Sequence, residues 1–316
     1  MTAPSPSTST STARSTATAT LRPIERLVTA HRQEEGGGFI VRRPFPTAGA
    51  DHFDPFLLLD EMGPVCYAPG EAIGAPEHPH RGFETVTYML DGAMEHRDST
   101  GAVGVIRPGA VQWMTAGAGI VHSELPTADM MAQGGLNHGF QIWINLPAAD
   151  KMTPPRYQGF EADEFTRSDL EHGGTLRVLA GTVAGFTGPV ETSIPITYAH
   201  VTLQPGDTID WESADGETAL AHVFDGAAEV NGQQADSGQL VVLERSSGIV
   251  RASVSTDATE ASEILFLGGR PIDEPIARYG PFVMNTNAEL QQAVDDYQAG
   301  RLGSIPAAGS GIERTT

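Results

Sequence analysis

The sequence predicts an all-β fold, two related β-barrels in tandem with one C-terminal helix packing back, and three observations predict it. From about residue 37 the chain runs as short apolar stretches punctuated by Gly, Pro and Asp, among them "FLLLDEMG", "TVTYML", "VGVIRPGAVQWM" and "HGFQIWINLP". Strands with turn signals at that spacing point to a sandwich or barrel rather than to βαβ units. A second set ("LRVLAG", "TYAHVTLQPGD", "LAHVFDGAAEVNG", "SGQLVVLE", "EILFLGG") rhymes with the first. Asp91-Gly92-Ala93 aligns with Asp225-Gly226-Ala227 and Gly109 with Gly238, a weak internal repeat. Lastly, "NTNAELQQAVDDYQAG" sets Thr286 and Glu289 at capping-box spacing, Leu290, Val294 and Tyr297 on one side, and Gly300 at the stop. That pattern predicts a helix over about 287–299.

Taken in order, residues 1–22 are expected to be a disordered Ser/Thr/Ala-rich tail, because such a composition buries too little apolar surface to offset the entropy of ordering. The Ser-rich, acid-poor make-up with Arg14 is shared with transit peptides, but the plain tail is the simpler reading, no apolar secretion segment is present, and a cytoplasmic protein is expected. Residues 23–150 are assigned to the first barrel, 151–304 to the second with the terminal helix, and 305–316 to a flexible tail. A chain of 316 residues has room for two ordinary domains. No run approaches the roughly 18 apolar residues of a membrane span, so a soluble chain is expected. The formal charge of −21 turns most of the surface field against phosphate backbones and anionic membranes, which disfavours direct nucleic-acid binding.

Cys66 is the only cysteine; with no base among its neighbours in "GPVCYAPG" it reads as an inert thiol. Lys151 is the only lysine, and nothing is read from it. The histidines are more informative. Residues i and i+2 of a strand share a face, so "EHPHRG" projects His78 and His80 side by side. "GIVHSELP" does the same for His122 and Glu124 about forty residues later, far enough for several strands to bring the two pairs face to face. Three imidazoles and a carboxylate converging inside a barrel can hold one metal ion. His31, His52, His172, His200 and His222 read as structural, and His96 and His138 as structural or as supports for the ligands.

"HPHRGFETVTYMLDG", "QWMTAGAGIVHSE" and "HGFQIWINLP" closely resemble the pirin family, a branch of the cupins. "FDPFLLLDEMGP" and "RYGPFVMNT" match as well, so the resemblance spans about residues 38–300. It implies a bicupin, two jelly-roll barrels with iron in the N-terminal one, and it places the family's iron ligands on His78, His80, His122 and Glu124. Glu84 stands where many other cupins have a ligand; the resemblance to pirins leaves it beside the site. The internal repeat puts Glu212, Ala214, Arg251 and Ser253 at the four ligand positions of the second barrel. One Fe(II) per chain is therefore expected, although the donor set also admits Mn, Co, Ni, Cu or Zn.

For function, the resemblance implies quercetin 2,3-dioxygenase activity, with a planar flavonol-like substrate and O2 as reactants and Glu124 as ligand and proton acceptor. Four ligands leave two octahedral positions open for exogenous atoms. The rival reading is a non-catalytic redox-sensing regulator that binds a protein partner; a weaker one is another cupin reaction, such as an isomerisation. Phe83, Trp113 and Phe140 are candidates for the walls of an aromatic pocket, with ordinary core burial as the competing role.

Overall fold

A computed structural model of the chain describes residues 20–35 and 38–306. Residues 1–19 of the expected first tail and 307–316 of the second lie outside the described residues. Arg22, expected in the tail, is built into the fold: it is fully buried and donates to Ser213 Oγ (2.9 Å) and the Ala214 carbonyl (2.8 Å).

Two sheets make each half. The first half has a seven-stranded sheet in the order Arg156–Phe160, Val111–Thr115, Phe83–Asp91, Gly135–Asn145, Phe56–Tyr67, Phe39–Phe45 and His31–Glu35. Across the barrel stands a four-stranded sheet, Ala75–His80, Ile120–Pro126, Met94–Asp98 and Val103–Ile106. The second half repeats the plan, with a seven-stranded sheet that contains Thr218–Asp225, Ser262–Gly269 and Ile196–Leu203 and a four-stranded sheet led by Thr208–Ser213 and Gly248–Ser253. The turns that carry the repeat coincide: Gly92 and Gly226 follow matching strands with φ of 81° and 69°, and Gly109 and Gly238 precede matching strands with φ of 82° and 83°. These are left-handed conformations that glycine adopts without steric cost.

The strand pairing divides the chain differently from the expected boundaries. Strand Ile24–Thr29, expected in the first barrel, pairs with Gln239–Leu243 in the second, while Arg156–Phe160, expected in the second, pairs with Val111–Thr115 in the first. Each seven-stranded sheet thereby gains an outer strand, and pairing gives its backbone groups the partners that an exposed edge would lack.

The two large sheets pack back to back. Val86, Tyr88, Trp113, Phe140 and Ile142 from the first meet Tyr198, Leu220, Phe224, Leu240 and Leu267 from the second in one fully buried core. Both faces of these sheets are therefore covered, which is why Phe83–Asp91 is buried on both faces over its first seven residues, Glu84, Thr85 and Thr87 included. Inside the second barrel a separate apolar cluster, with Trp211 stacked on Phe266 at 5.4 Å, fills the interior.

The terminal helix spans Asn287–Gln298, capped by Thr286, whose backbone N–H donates in return to the Glu289 carboxylate. It buries Leu290 and Ala293 against Val121, Phe282 and Met284, and thus lies on the first barrel although it ends the second half. Tyr297, expected on the packed side, is 40% exposed, its ring edging Phe282 at 6.4 Å. A short helix, Ala128–Gln133, capped by Thr127, was not expected. No helix among the described residues is long and apolar enough to cross a membrane.

Candidate metal centre

The two histidine strands are direct neighbours in the four-stranded sheet, not facing strands across the barrel. Ala75–His80 is its edge strand, which is why Pro76 and Pro79 are tolerated in it. It pairs antiparallel with Ile120–Pro126, so that His78 and His122 are Cα partners. The ring centroids of His78 and His122 are 4.3 Å apart, those of His80 and His122 4.8 Å.

Among the described residues, His78, His80 and His122 form the one group of three or more potential ligands whose donor atoms all lie within 4.8 Å of one another. Their nitrogens are available as lone pairs. The Nδ1 of His78 lies 2.7 Å from the Pro76 carbonyl, which only accepts, so Nδ1 carries the hydrogen and Nε2 is free. That Nε2 stands 3.0 Å from Nε2 of His80. Two imidazole nitrogens each about 2.1 Å from a single ion are roughly 3 Å apart at adjacent octahedral positions. His122 Nε2 is buried without a hydrogen-bond partner. Burial pushes the His80 and His122 rings well below the ordinary imidazole value, and the neighbouring imidazoles add to it, so both favour the neutral, ligating form. An ion that satisfies three converging nitrogens fits this site.

Glu124, expected as the fourth ligand, lies next along the strand and outside the three-histidine group. The ladder to the edge strand slips by one residue between His122 and Glu124, which sits opposite Ala75. Such a bulge re-aims a side chain. The carboxylate instead accepts from the Thr87 hydroxyl (2.7 Å) and the Gln141 amide (3.0 Å). It lines a largely apolar pocket with Phe39, Ile40, Met62, Tyr67 and Met94.

Glu84 points away from the cluster. On its strand Phe83 and Thr87 face the barrel interior, so Glu84, one residue out of phase with them, faces the other barrel. There it accepts from Trp113 Nε1 (3.0 Å), the Thr115 hydroxyl (2.7 Å) and the Ser193 hydroxyl (2.9 Å), and burial raises its pKa. The same alternation gives two of the candidate aromatics the core role: Trp113 and Phe140 belong to the inter-barrel core. Phe83 does border the cluster, 5.0 Å from His80, and the aromatic that completes this wall is Trp143, 5.2 Å from His80 and 4.4 Å from Phe83.

Among the described residues the second barrel offers no comparable set. Arg251 is half exposed and pairs with Asp210 (2.6 Å), and Glu212 is exposed. His138 lies outside the cluster, 3.0 Å from Glu61, and His200, 2.8 Å from the Tyr88 hydroxyl, and His222 serve the inter-barrel contact. His96 and Asp98, by contrast, stand on the strand flanking His122 on its other side. They form a third i, i+2 pair, "HRD", with the same local signal as the other two. Lys151 is a residue that sequence reasoning missed. Its buried ammonium donates to the Gly82 carbonyl (2.8 Å), Asn145 Oδ1 (2.6 Å) and the Val283 carbonyl (3.1 Å), and burial lowers its pKa to about 8.

Comparison with known proteins agrees with this architecture. Residues 38–144 match the Pirin family model and residues 198–303 the model of the Pirin C-terminal cupin domain. A pirin-like protein of Caulobacter vibrioides is 42% identical over 89% of this chain and 99% of its own length, and one of Solanum lycopersicum 40% identical over 89% and 93%. A crystal structure of a quercetin 2,3-dioxygenase from Acinetobacter baumannii superposes with a TM-score of 0.84 at 38% identity, covering 91% of this chain and all of that one. With its two cupin barrels and its three-histidine cluster in the first, this chain belongs to the pirin family.

Proposed function

We propose that the first barrel is a mononuclear metal centre, with Fe(II) as its ion, at which O2 oxidises a flavonol-like planar aromatic, as in a quercetin 2,3-dioxygenase. The observation that carries the proposal is the convergence of the His78, His80 and His122 nitrogens at the spacing of a single ion, next along the strand to a carboxylate in an apolar pocket. The likeness to the Acinetobacter baumannii enzyme supports the choice of substrate class.

His78, His80 and His122 hold the ion through neutral rings. Iron(II), when bound, supplies a redox-active Lewis acid with open coordination positions. Glu124 is the carboxylate of the site, both fourth ligand and proton acceptor for the flavonol hydroxyl. An ionised carboxylate has about four acceptor positions, so the bonds from Thr87 and Gln141 orient it and leave lone pairs on both oxygens. Phe39, Ile40, Met62 and Met94 offer an apolar wall to the aromatic substrate, and Phe83 and Trp143 keep water from the His80 side.

The test is oxygen uptake by protein reconstituted anaerobically with Fe(II). Quercetin or a related flavonol should drive uptake above that of free iron, and Glu124→Gln should slow turnover by about tenfold or more, whereas His138→Ala, outside the cluster, should slow it less. Absence of flavonol-dependent uptake, together with binding of a protein partner that differs between Fe(II) and Fe(III), would replace the enzyme with a redox-sensing regulator.

A further inference from the structure

Asp98 and His96 are fully buried beside His122, and their contacts form an ordered chain. Asp98 Oδ2 lies 3.0 Å from His96 Nε2, and His96 Nδ1 lies 3.4 Å from His122 Nδ1. The far nitrogen of His122, Nε2, is the buried one with no hydrogen-bond partner. The carboxylate at the head of the chain is fixed by its own turn. Its Oδ1 accepts from the Thr100 amide (2.8 Å), the Thr100 hydroxyl (2.6 Å) and the Ala102 amide (3.2 Å), with Gly101 in the left-handed region at φ 87°.

We propose that Asp98 and His96 are positioning residues that set the tautomer and ring orientation of His122, through a relay of two neutral imidazoles. This rests on the reading of the three-histidine cluster as a metal centre. An ionised carboxylate only accepts, so His96 Nε2 carries the hydrogen and His96 Nδ1 presents a lone pair. Two lone pairs cannot face one another, so the hydrogen of His122 is on Nδ1. Its remaining lone pair is on Nε2, the orphaned atom in the cluster. Each link removes one alternative, and the last leaves His122 in its ligating form before any ion arrives. His78 reaches the same tautomer through the Pro76 carbonyl, so two of the three ligands are preset by neighbours that do not touch the ion. The strand pairing supplies the geometry: His122 is the Cα partner of Asp98 and Glu124 of His96, so the relay and the ligands share one face of the sheet.

The tautomers are read directly in the metal-free full-length protein by long-range 15N–1H correlation of the imidazole rings. His122 should appear with its hydrogen on Nδ1 and His96 with its hydrogen on Nε2; a hydrogen on His122 Nε2 would overturn the proposal without any variant. The energetic arm is chelator competition with Co(II). His96→Leu, which removes the acceptor, should weaken Co(II) binding by about 10- to 100-fold and alter the visible d–d spectrum. His96→Asn, whose amide oxygen stands near the place of Nδ1, should recover most of the affinity and the wild-type spectrum. Equal affinity and spectra in wild type and a folded His96→Leu would sink the relay while leaving the metal centre intact. Failure of the wild type to bind Co(II) or Fe(II) would instead remove the metal reading itself.

Discussion

At the scale of single residues, the centre depends on three imidazoles, of which burial keeps His80 and His122 neutral. Removing one should matter more for the ion than for the fold, because His122 is held in a ladder whose other members pair through backbone groups. His122→Ala is therefore expected to lose most bound metal while the β-sheet circular dichroism is retained; full metal content in that variant would refute the cluster as the binding site. The depressed His80 and His122 values also set a direction with pH. Protons compete with metal for the rings, so metal retained after dialysis should fall as pH drops, and the depressed values of His80 and His122 move that fall toward lower pH.

At the scale of elements, the short hairpin Ala277–Tyr279 and Phe282–Met284, followed by the terminal helix, folds back from the second half onto the first barrel. Two polar contacts fasten it. Arg81, next to the ligand His80, pairs with Asp296 of the helix at 2.7 Å, and Lys151 ties the Val283 carbonyl to Gly82 and Asn145. Lys151→Met would keep the stem and leave three buried acceptors without their donor. Such a loss should cost at least about 2 kcal/mol of stability in urea unfolding. A change of less than half that would mean that water or other donors satisfy these carbonyls.

At the scale of the whole molecule, two barrels of one plan have diverged in their interiors. The first keeps polar groups around the histidines, and the second is filled by Trp211, Phe266 and their neighbours. Metal analysis should accordingly return about one equivalent per chain, and two tightly bound equivalents would contradict the reading of the second barrel. The barrels are joined by a buried polar contact as well as by the apolar core. Glu61 of the first, in contact with His138 and Arg42, approaches His222 of the second at 3.9 Å. Burial would raise its pKa, but the contacts with His138, His222 and Arg42 outweigh burial and bring it from 4.5 to about 2. A carboxyl depressed in the folded state stabilises the fold above its unfolded value and loses that contribution as pH falls through its folded one. The stability gap between wild type and Glu61→Gln should thus be full at pH 6 and shrink between about pH 4.5 and 2. A gap independent of pH would assign the effect of the substitution to shape rather than charge.

The sequence by itself determined what period and local chemistry encode. Alternation and turn residues gave the strands, the matching Gly92/Gly226 and Gly109/Gly238 turns gave the repeat, Thr286 with Glu289 gave the start of the helix, and i, i+2 spacing put His78 beside His80. Only the tertiary structure decided what depends on partners distant in the chain. Which face of Phe83–Asp91 looks into the barrel separates Thr87 from Glu84, and a two-residue period is silent on that sign when both faces are covered. The one-residue slip that holds Glu124 on Thr87 and Gln141 is a property of the ladder between two strands, written in neither alone. The crossing of Ile24–Thr29 to the second barrel was settled by the same means, because an edge strand pairs with whichever sheet its connection can reach, and its own residues do not name that sheet.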